Sequence, residues 1–387
     1  MFNIKTLNKI SKKGLSQLDS AKYSCGDDIS SPVGILVRSA DMKGYDFNSE
    51  LLCIARAGAG VNNIPLDDCA SHGIVVFNTP GANANAVKEL VVAALLLSSR
   101  KLVDGINWTK SLSDKGAEIP KLVEKGKSKF KGPELSGKKL GIIGLGAIGV
   151  MVANAATHLG MQVLGYDPYI SVDAAWGLSR RVVHAKDLKA IFETCDYITL
   201  HVPATDETRG TICAESIGTM KDGVRIINLA RNELVVSDDM IAALDSGKVA
   251  SYVTDFADDA LLSAKNTIVF PHLGASTPES EDNCANMATT EMINYIERGV
   301  IRNSVNFPNL ETPCDCGCRV LVLHKNVPKV LHDITNTFAS QNINIENLFN
   351  RSKKDNAYTA VDISACPSDD LIEKIRVLPG IIRVRVI

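Results

Sequence analysis

The stretch from Lys139 to Gly149, KLGIIGLGAIG, limits what this chain can fold into more than any other. An apolar run fit for a buried strand enters a G-x-G-x-x-G turn at Gly144, Gly146 and Gly149, and a helical pattern follows. Gly144 suits a tight turn, Gly146 lets backbone amides approach a pyrophosphate, and Gly149 lets helix and strand pack closely. A helix opening at Ala147 and Ile148 turns its unpaired N–H groups toward anionic phosphates. The next strand pattern ends at Asp167-Pro168, 23 residues after Gly144. A carboxylate there accepts from both ribose hydroxyls and repels a 2′-phosphate, which favours NAD over NADP. The glycine pattern alone is compatible with a turn that binds nothing. Set between strand and helix, with an acidic residue closing the second strand, it points to a dinucleotide site.

The same alternation extends in both directions. Strand patterns at 162–166, 197–200, 224–229 and 250–254 are separated by helical stretches, which implies a parallel sheet covered on both faces. Toward the N-terminus, from about Gly34, strand patterns occur at 33–37, 51–55 and 74–77. The turn Gly58-Ala59-Gly60 follows the second of these. Residues 86–99 are apolar on nearly every face, as a buried helix would be. Residues 104–131 are polar and lysine-rich, and 279–298 reads as a long helix. The last seventy or so residues give strand 319–323, helix 328–340, strands 343–350 and 357–364, a helix capped by Ser368, and strand 382–386. This βαββαβ order is that of a ferredoxin-like domain.

Bulk properties exclude several classes. At 387 residues the chain is too long for one core. A net charge of −2 gives no electrostatic reason to bind nucleic acid or a membrane surface. No apolar run reaches the roughly 18–20 residues of a membrane span, and the N-terminus lacks a signal-peptide pattern. Ten scattered cysteines read as reduced thiols, so a cytoplasmic protein is expected. Cys314, Cys316 and Cys318 lack the spacing and the fourth ligand of a zinc site, and no metal is expected. His72, His158, His184 and His332 read as surface or packing residues.

Oxidation of a secondary alcohol needs a base for the hydroxyl proton, a cation for a neighbouring carboxylate, and a carboxylate to tune the base. Strand ends of open α/β sheets are where ligands bind. Arg231 ends the strand pattern at 224–229 and suits a bidentate carboxylate clamp. His272 follows the apolar run 267–270, and Asp255, Asp258 and Asp259 lie between. Singly, the histidine reads as a structural hydrogen-bonder and the arginine as a surface charge. Together, on successive strand ends, they favour a catalytic site.

Taken jointly, these motifs resemble the D-isomer-specific 2-hydroxyacid dehydrogenases. The resemblance runs from about Gly34 onward. It is carried by Ala55 to Asn63, Asn78 to Asn83 with Glu89, Gly141 to Gly149, His201-Val202-Pro203, Asn228 to Val235, and Pro271 to Thr277. It implies a Rossmann-type domain over 104–275 and a discontinuous flavodoxin-like substrate domain over 1–103 plus 276–312, with a cleft between them. By the same resemblance Arg231 binds the substrate carboxylate, His272 is the acid/base, and Ala59-Gly60 amides help hold the carboxylate. Asp255 and the Ala230 carbonyl would hold the nicotinamide carboxamide. Thr208, Leu229, Gly274 and Ala275 complete the implied cofactor set. Arg38, Arg56 and Asn83 match positions facing the substrate, and paired arginines suit a dianionic phosphate. The implied substrate is 3-phospho-D-glycerate, oxidised to 3-phosphohydroxypyruvate at the first step of phosphorylated L-serine synthesis. The alternatives are a hydroxypyruvate or glyoxylate reductase and a catalytically silent NAD sensor.

Three departures stand out. Asp259 occupies the place of a glutamate set against the histidine, and its shorter side chain is expected to lengthen that contact through water. Asn232 replaces a common glycine, with little expected consequence. The last domain, 317–387, resembles an ACT domain, in which His324, Asn326 and Asn344 would bind serine at an interface between two copies. There, Lys329 stands where glycine is common. A homodimer or homotetramer is expected from the apolar helix at 86–99 and the ACT sheet edges.

Overall fold

The computed structural model describes residues 1–313 and 317–387, so Cys314 and Cys316 lie outside the described residues. Among the described residues the chain forms two compact units, Met1–Asn83 with Pro278–Ile387, and Ala84–Thr277. No helix among them is long and apolar enough to cross a membrane.

The first unit contains two sheets. Strands β1 (Phe2–Leu7), β2 (Tyr23–Gly26), β3 (Gly34–Val37), β4 (Cys53–Arg56) and β5 (Val75–Phe77) are all parallel, in the order β2-β1-β3-β4-β5. This is the flavodoxin-like order 2-1-3-4-5. One face packs on the helix Pro278–Arg298 through Ala285, Ala288, Met292 and Tyr295. At Ala285 that helix also meets Gly14 of the helix Lys12–Leu15, so closely that a Cβ on the glycine would collide with it. The opposite face buries Ile35, Val37, Ile54 and Val76 with Ile64, Cys69 and Ile74.

The second unit supplies β6 (Lys139–Ile143), β7 (Gln162–Tyr166), β8 (Val183–His184), β9 (Tyr197–Leu200), β10 (Val224–Asn228), β11 (Val249–Thr254) and β12 (Thr267–Val269). They form one parallel sheet ordered β12-β11-β10-β9-β6-β7-β8. Renumbered within the unit this is the Rossmann order, and it reverses between β6 and β9. The helix Ala84–Ser99 covers one face beside Ala147–His158. Val87, Val91, Ala94 and Leu95 are buried, while Leu96 is exposed, so only one stripe of this apolar helix is covered within the unit.

The remaining strands, β13 (Cys318–Lys325), β14 (Ile345–Lys353), β15 (Asn356–Ile363) and β16 (Ile381–Val386), form an antiparallel sheet ordered β14-β15-β13-β16. Helices Val330–Ser340 and Asp369–Arg376 cover one face, over Val320, Val322, Val361 and Ile363. Ser368 caps the second helix by accepting from the Leu371 amide. The connectivity is βαββαβ, ferredoxin-like. Leu321, Leu323, Tyr358 and Ala360 lie on the other face, in one core with Phe77, Tyr295 and Ile296 of the flavodoxin-like domain. Tyr358 donates to the Gly299 carbonyl at 2.7 Å. Arg385 caps the long helix through the carbonyls of Tyr295 and Ile296 and lies over the Tyr295 ring.

Candidate active site

The Gly-rich turn is built by three glycines that do different things. Gly144 has φ +97°, and a Cβ there would lie 2.6 Å from the His201 carbonyl oxygen. At Gly149 a Cβ would overlap the Gly144 carbonyl, because helix and strand meet without space for a side chain. Gly146, the residue capping the helix Ala147–His158, faces open space: a Cβ there would meet nothing within 4 Å. Packing therefore does not account for glycine at 146, whereas access of a bound pyrophosphate to the helix N-terminus does. These residues fit a dinucleotide.

Asp167 follows β7 and is oriented by two backbone donors. Its Oδ2 accepts from Leu145 at 2.8 Å and its Oδ1 from Tyr169 at 2.9 Å, while Pro168 is exposed. The Asp167 carboxylate is thereby fixed beside the turn, with lone pairs left for ribose hydroxyls. His201-Val202-Pro203 leaves β9 at the reversal point. The His201 amide donates to Ile143, and its ring meets Thr199 Oγ1 at 3.1 Å. Burial pushes the His201 ring down to about 4, so it is neutral at physiological pH. Thr208 ties back the loop by donating to the Pro203 carbonyl at 2.6 Å.

Arg231 lies just past β10. The buried Asn228 side chain closes this strand end by donating to the Arg231 carbonyl at 2.8 Å and accepting from the Ala230 amide at 3.2 Å. Leu229 is buried, and the exposed Arg231 guanidinium rests on the Ala230 carbonyl through Nη1 at 2.6 Å. Asp255, just past β11, is buried with Oδ1 unpartnered among the described residues. Burial pushes its carboxyl up, while His272, the Gly274 amide and Arg231 pull it back. A Cβ on Gly274 would lie 3.5 Å from Asp255 Oδ2. Ala275, next in the chain, is half-buried. The orphaned Asp255 oxygen is a ready acceptor for an amide donor.

His272 is exposed, and its ring meets Phe256 edge-on at 5.2 Å. The adjacent aspartates have separate fates. Asp258 caps the helix Asp259–Ser263, accepting from Leu261 at 2.7 Å and from Ser237 at 3.1 Å. Asp259 is exposed, and its carboxylate forms no hydrogen bond or ion pair among the described residues, with His272 included.

The first unit carries the other group of residues. Arg38 follows β3, and its Nη1 pairs with Glu281 Oε1 at 2.7 Å. Arg56 ends β4 and donates from Nε to Asn63 at 3.2 Å. Its guanidinium passes directly over Gly58, where any Cβ would collide with Nη1. That steric demand was not legible from the Gly58-Ala59-Gly60 turn alone. Asn78 donates to the Ala59 carbonyl at 2.6 Å, and Ala59, Gly60 and Asn83 are half-buried. All of these lie at C-terminal strand ends.

In the C-terminal domain, His324 is buried, with Nδ1 on the Lys325 carbonyl and Nε2 on Thr359, both at 2.8 Å. Burial keeps its ring below the ordinary histidine range. Asn326 and Asn344 are exposed. Within one chain Asn344 precedes the Ile345–Ile363–Cys318 end of the sheet, six residues along β13 from His324. At ~3.3 Å per residue that is about 20 Å. Lys329 has φ +75°, so a lysine holds a backbone state that glycine adopts without strain.

Comparison with known proteins places these features in a family. Residues 92–274 match the NAD-binding domain of the D-isomer-specific 2-hydroxyacid dehydrogenases. The chain is 32% identical over 349 residues to D-3-phosphoglycerate dehydrogenase of Dictyostelium discoideum, covering 87% of this chain and 81% of that one. It is 35% identical over 287 residues to D-3-phosphoglycerate dehydrogenase of Archaeoglobus fulgidus. That alignment covers 72% of this chain and 52% of the relative, so here the chain spans about half the relative's length. A solved structure of cofactor (NAD+)-bound 3-phosphoglycerate dehydrogenase from Entamoeba histolytica aligns with a TM-score of 0.61 at 26% identity, over 80% of this chain and 99% of that one. With the Rossmann order, the Gly146 opening and the Asp167 carboxylate, these likenesses lead to one conclusion: the chain belongs to the D-isomer-specific 2-hydroxyacid dehydrogenases and is an NAD-dependent oxidoreductase.

Proposed function

We propose that the chain oxidises 3-phospho-D-glycerate to 3-phosphohydroxypyruvate. The observation that carries this reading is the pair Arg38 and Arg56, one at the end of β3 and one at the end of β4, in a domain that also presents Ala59 and Gly60. A carboxylate needs one clamp, and Arg231 suits it. Two further arginines on neighbouring strand ends suit a second, dianionic group. NAD, when bound, accepts the hydride from C2 of the substrate. Arg231 leaves the Ala230 carbonyl to grip the substrate carboxylate, and a ring nitrogen of His272 takes the C2 hydroxyl proton. Asp259 sits one residue beyond the cap formed by Asp258 and retains an uncommitted carboxylate to orient that ring. Asp255 Oδ1 and the Ala230 carbonyl would hold the carboxamide of the cofactor by accepting from its N–H groups.

The remaining assignments belong to the same reading. The substrate domain is 1–103 with 276–312, the cofactor domain is 104–275, and 317–387 is an ACT domain. Serine would bind at His324, Asn326 and Asn344 in a cytoplasmic homodimer or homotetramer. The separation of Asn344 from Asn326 within one chain is consistent with a site completed by a second copy. Steady-state kinetics with 3-phosphoglycerate and with D-glycerate test the substrate. Removal of the phosphate is expected to lower kcat/KM by at least a hundredfold, as roughly 1.5–3 kcal/mol for each of two charged hydrogen bonds implies. Equal kcat/KM for the two acids would instead favour a reductase of unphosphorylated hydroxy acids.

A further inference from the structure

A cavity of about 290 Å³ opens at the N-terminal ends of β10, β11 and β12, whereas the Gly-rich turn follows the C-terminal end of β6. Its lining residues lie between Leu97 and Ile268, inside one compact unit. Arg225 and Ser251 are register partners on β10 and β11, so their side chains stand side by side on one face of the sheet. The Arg225 guanidinium is held in place. Its Nε donates to the Ser98 carbonyl at 3.0 Å, its Nη1 donates to the Gly223 carbonyl at 3.2 Å, and the group lies 5.4 Å from the centroid of the Tyr197 ring. Its Nη2 forms no hydrogen bond among the described residues. Ser251 is only 7% exposed, and its hydroxyl also has no partner among the described residues. A polar group buried that far ordinarily has one.

The charges around these donors do not balance. Lys101, Lys131 and Arg225 line the cavity against the single carboxylate of Asp104, and none of the four forms an ion pair among the described residues. Two positive charges are left over, which matches a dianion. Asn266 adds a side-chain amide that forms no hydrogen bond among the described residues. Val103, Pro133 and Ile268 make the lining partly apolar. At about 30 Å³ per water the space equals roughly ten waters, more than a bare oxyanion fills.

We propose that this cavity is a binding site for a phosphomonoester with a short carbon chain. Arg225 Nη2, the Ser251 hydroxyl and the Asn266 amide donate to the phosphate oxygens, while Lys101 and Lys131 balance the charge. The carbon chain lies against Val103 and Ile268. Arg38 and Arg56 belong to the other compact unit, and the Gly-rich turn to the other end of the strands, so this ligand competes with neither substrate nor NAD. Once bound, it ties residues 97–104 and 131–133 to the starts of the strands.

The test uses the full chain saturated with NAD, with methyl phosphate and inorganic phosphate as probes at constant ionic strength. At ten times the half-saturating concentration, amide hydrogen exchange should slow by about threefold to tenfold in peptides covering 97–104, 131–133 and 264–268. Ser251→Ala removes one donor to the anion and should raise the half-saturating concentration by about tenfold. Lys101→Met combined with Lys131→Met should raise it by at least about tenfold, and both variants should bind NAD as the parent does. Half-saturation by methyl phosphate at no higher concentration than by inorganic phosphate supports the phosphomonoester, and tighter binding of the free ion would overturn that choice. Protection confined to peptides around Arg38, Arg56 and the Gly-rich turn, or equal protection in parent and variants, would overturn the site itself.

Discussion

Glu291 is 5% exposed on the long helix Pro278–Arg298, an unusual place for a carboxyl. Its Oε1 accepts from Asn303 Nδ2 at 2.7 Å, and its Oε2 has no partner among the described residues. Burial pushes this group from its ordinary 4.5 up to about 8, against the opposing pulls of Asn303 and Arg302. Between those two pH values the folded chain keeps a proton that the unfolded chain has released. Its contribution to stability is thus full below pH 4.5, declines as pH rises through the window, and levels off above 8. Every tenfold gain in proton affinity on folding is worth at most about 1.4 kcal/mol. Glu291→Gln retains the acceptor for Asn303 and never ionises, so its Tm should fall less than the parent's between pH 6 and pH 9. Parallel Tm–pH curves for the two proteins would remove Glu291 as the cause. Asp259 poses the opposite case, an exposed carboxylate without a partner among the described residues. If it orients His272 during turnover, Asp259→Asn should lose about tenfold to a hundredfold in kcat, with the KM for NAD unaltered, and Asp259→Glu should retain activity. An Asp259→Asn enzyme as fast as the parent would assign the residue no part in the reaction.

At the scale of elements, legibility followed burial. β6 and β9 are central strands buried on both faces, and their short apolar runs mark their bounds to the residue. β1 and β2 escaped notice because Phe2–Leu7 alternates with polar residues and buries only Ile4 fully, so its pairing with β3 is what makes it a strand. The C-terminal strand is instructive in another way. Ile382 to Val386 reads correctly as an alternating strand, and alternation ordinarily assigns the charged side to solvent. Here Arg383 instead binds the carbonyls of Ser49, Leu51 and His72, and Arg385 those of Tyr295 and Ile296. The available signal lay in β13, whose run VLVL has no polar side to offer water and so requires cover on both faces. Of the candidate site, the strand-end residues were legible because the Rossmann order places them. The partition of labour between Asp258 and Asp259 was not, since capping by Asp258 depends on where one short helix begins.

The C-terminal domain has its own fold but not a wholly separate core. Val320, Val322 and Phe338 pack among its own helices, whereas Leu321, Leu323 and Tyr358 pack with Phe77, Tyr295 and Ile296. Arg319 and Asp362, both buried, form a two-pronged ion pair at 2.5 and 2.9 Å, and Arg319 also binds the Pro313 carbonyl, fixing the chain where it enters β13. A domain attached in this manner should unfold with the flavodoxin-like domain rather than before it. Leu323→Ala removes side-chain atoms from the shared face and is expected to cost about 2–5 kcal/mol. Since the lost contacts belong to both domains, the slowest-exchanging amides of β13 and of the helix Pro278–Arg298 should lose protection by the same factor. Phe338→Ala, which opens a cavity only beneath the ferredoxin-like helices, should do the same if unfolding is cooperative, because protection of the slowest amides reports the global transition. Loss of protection in β13 while the long helix keeps its own would show instead that the C-terminal domain opens independently, and that the shared face is too weak to join the two.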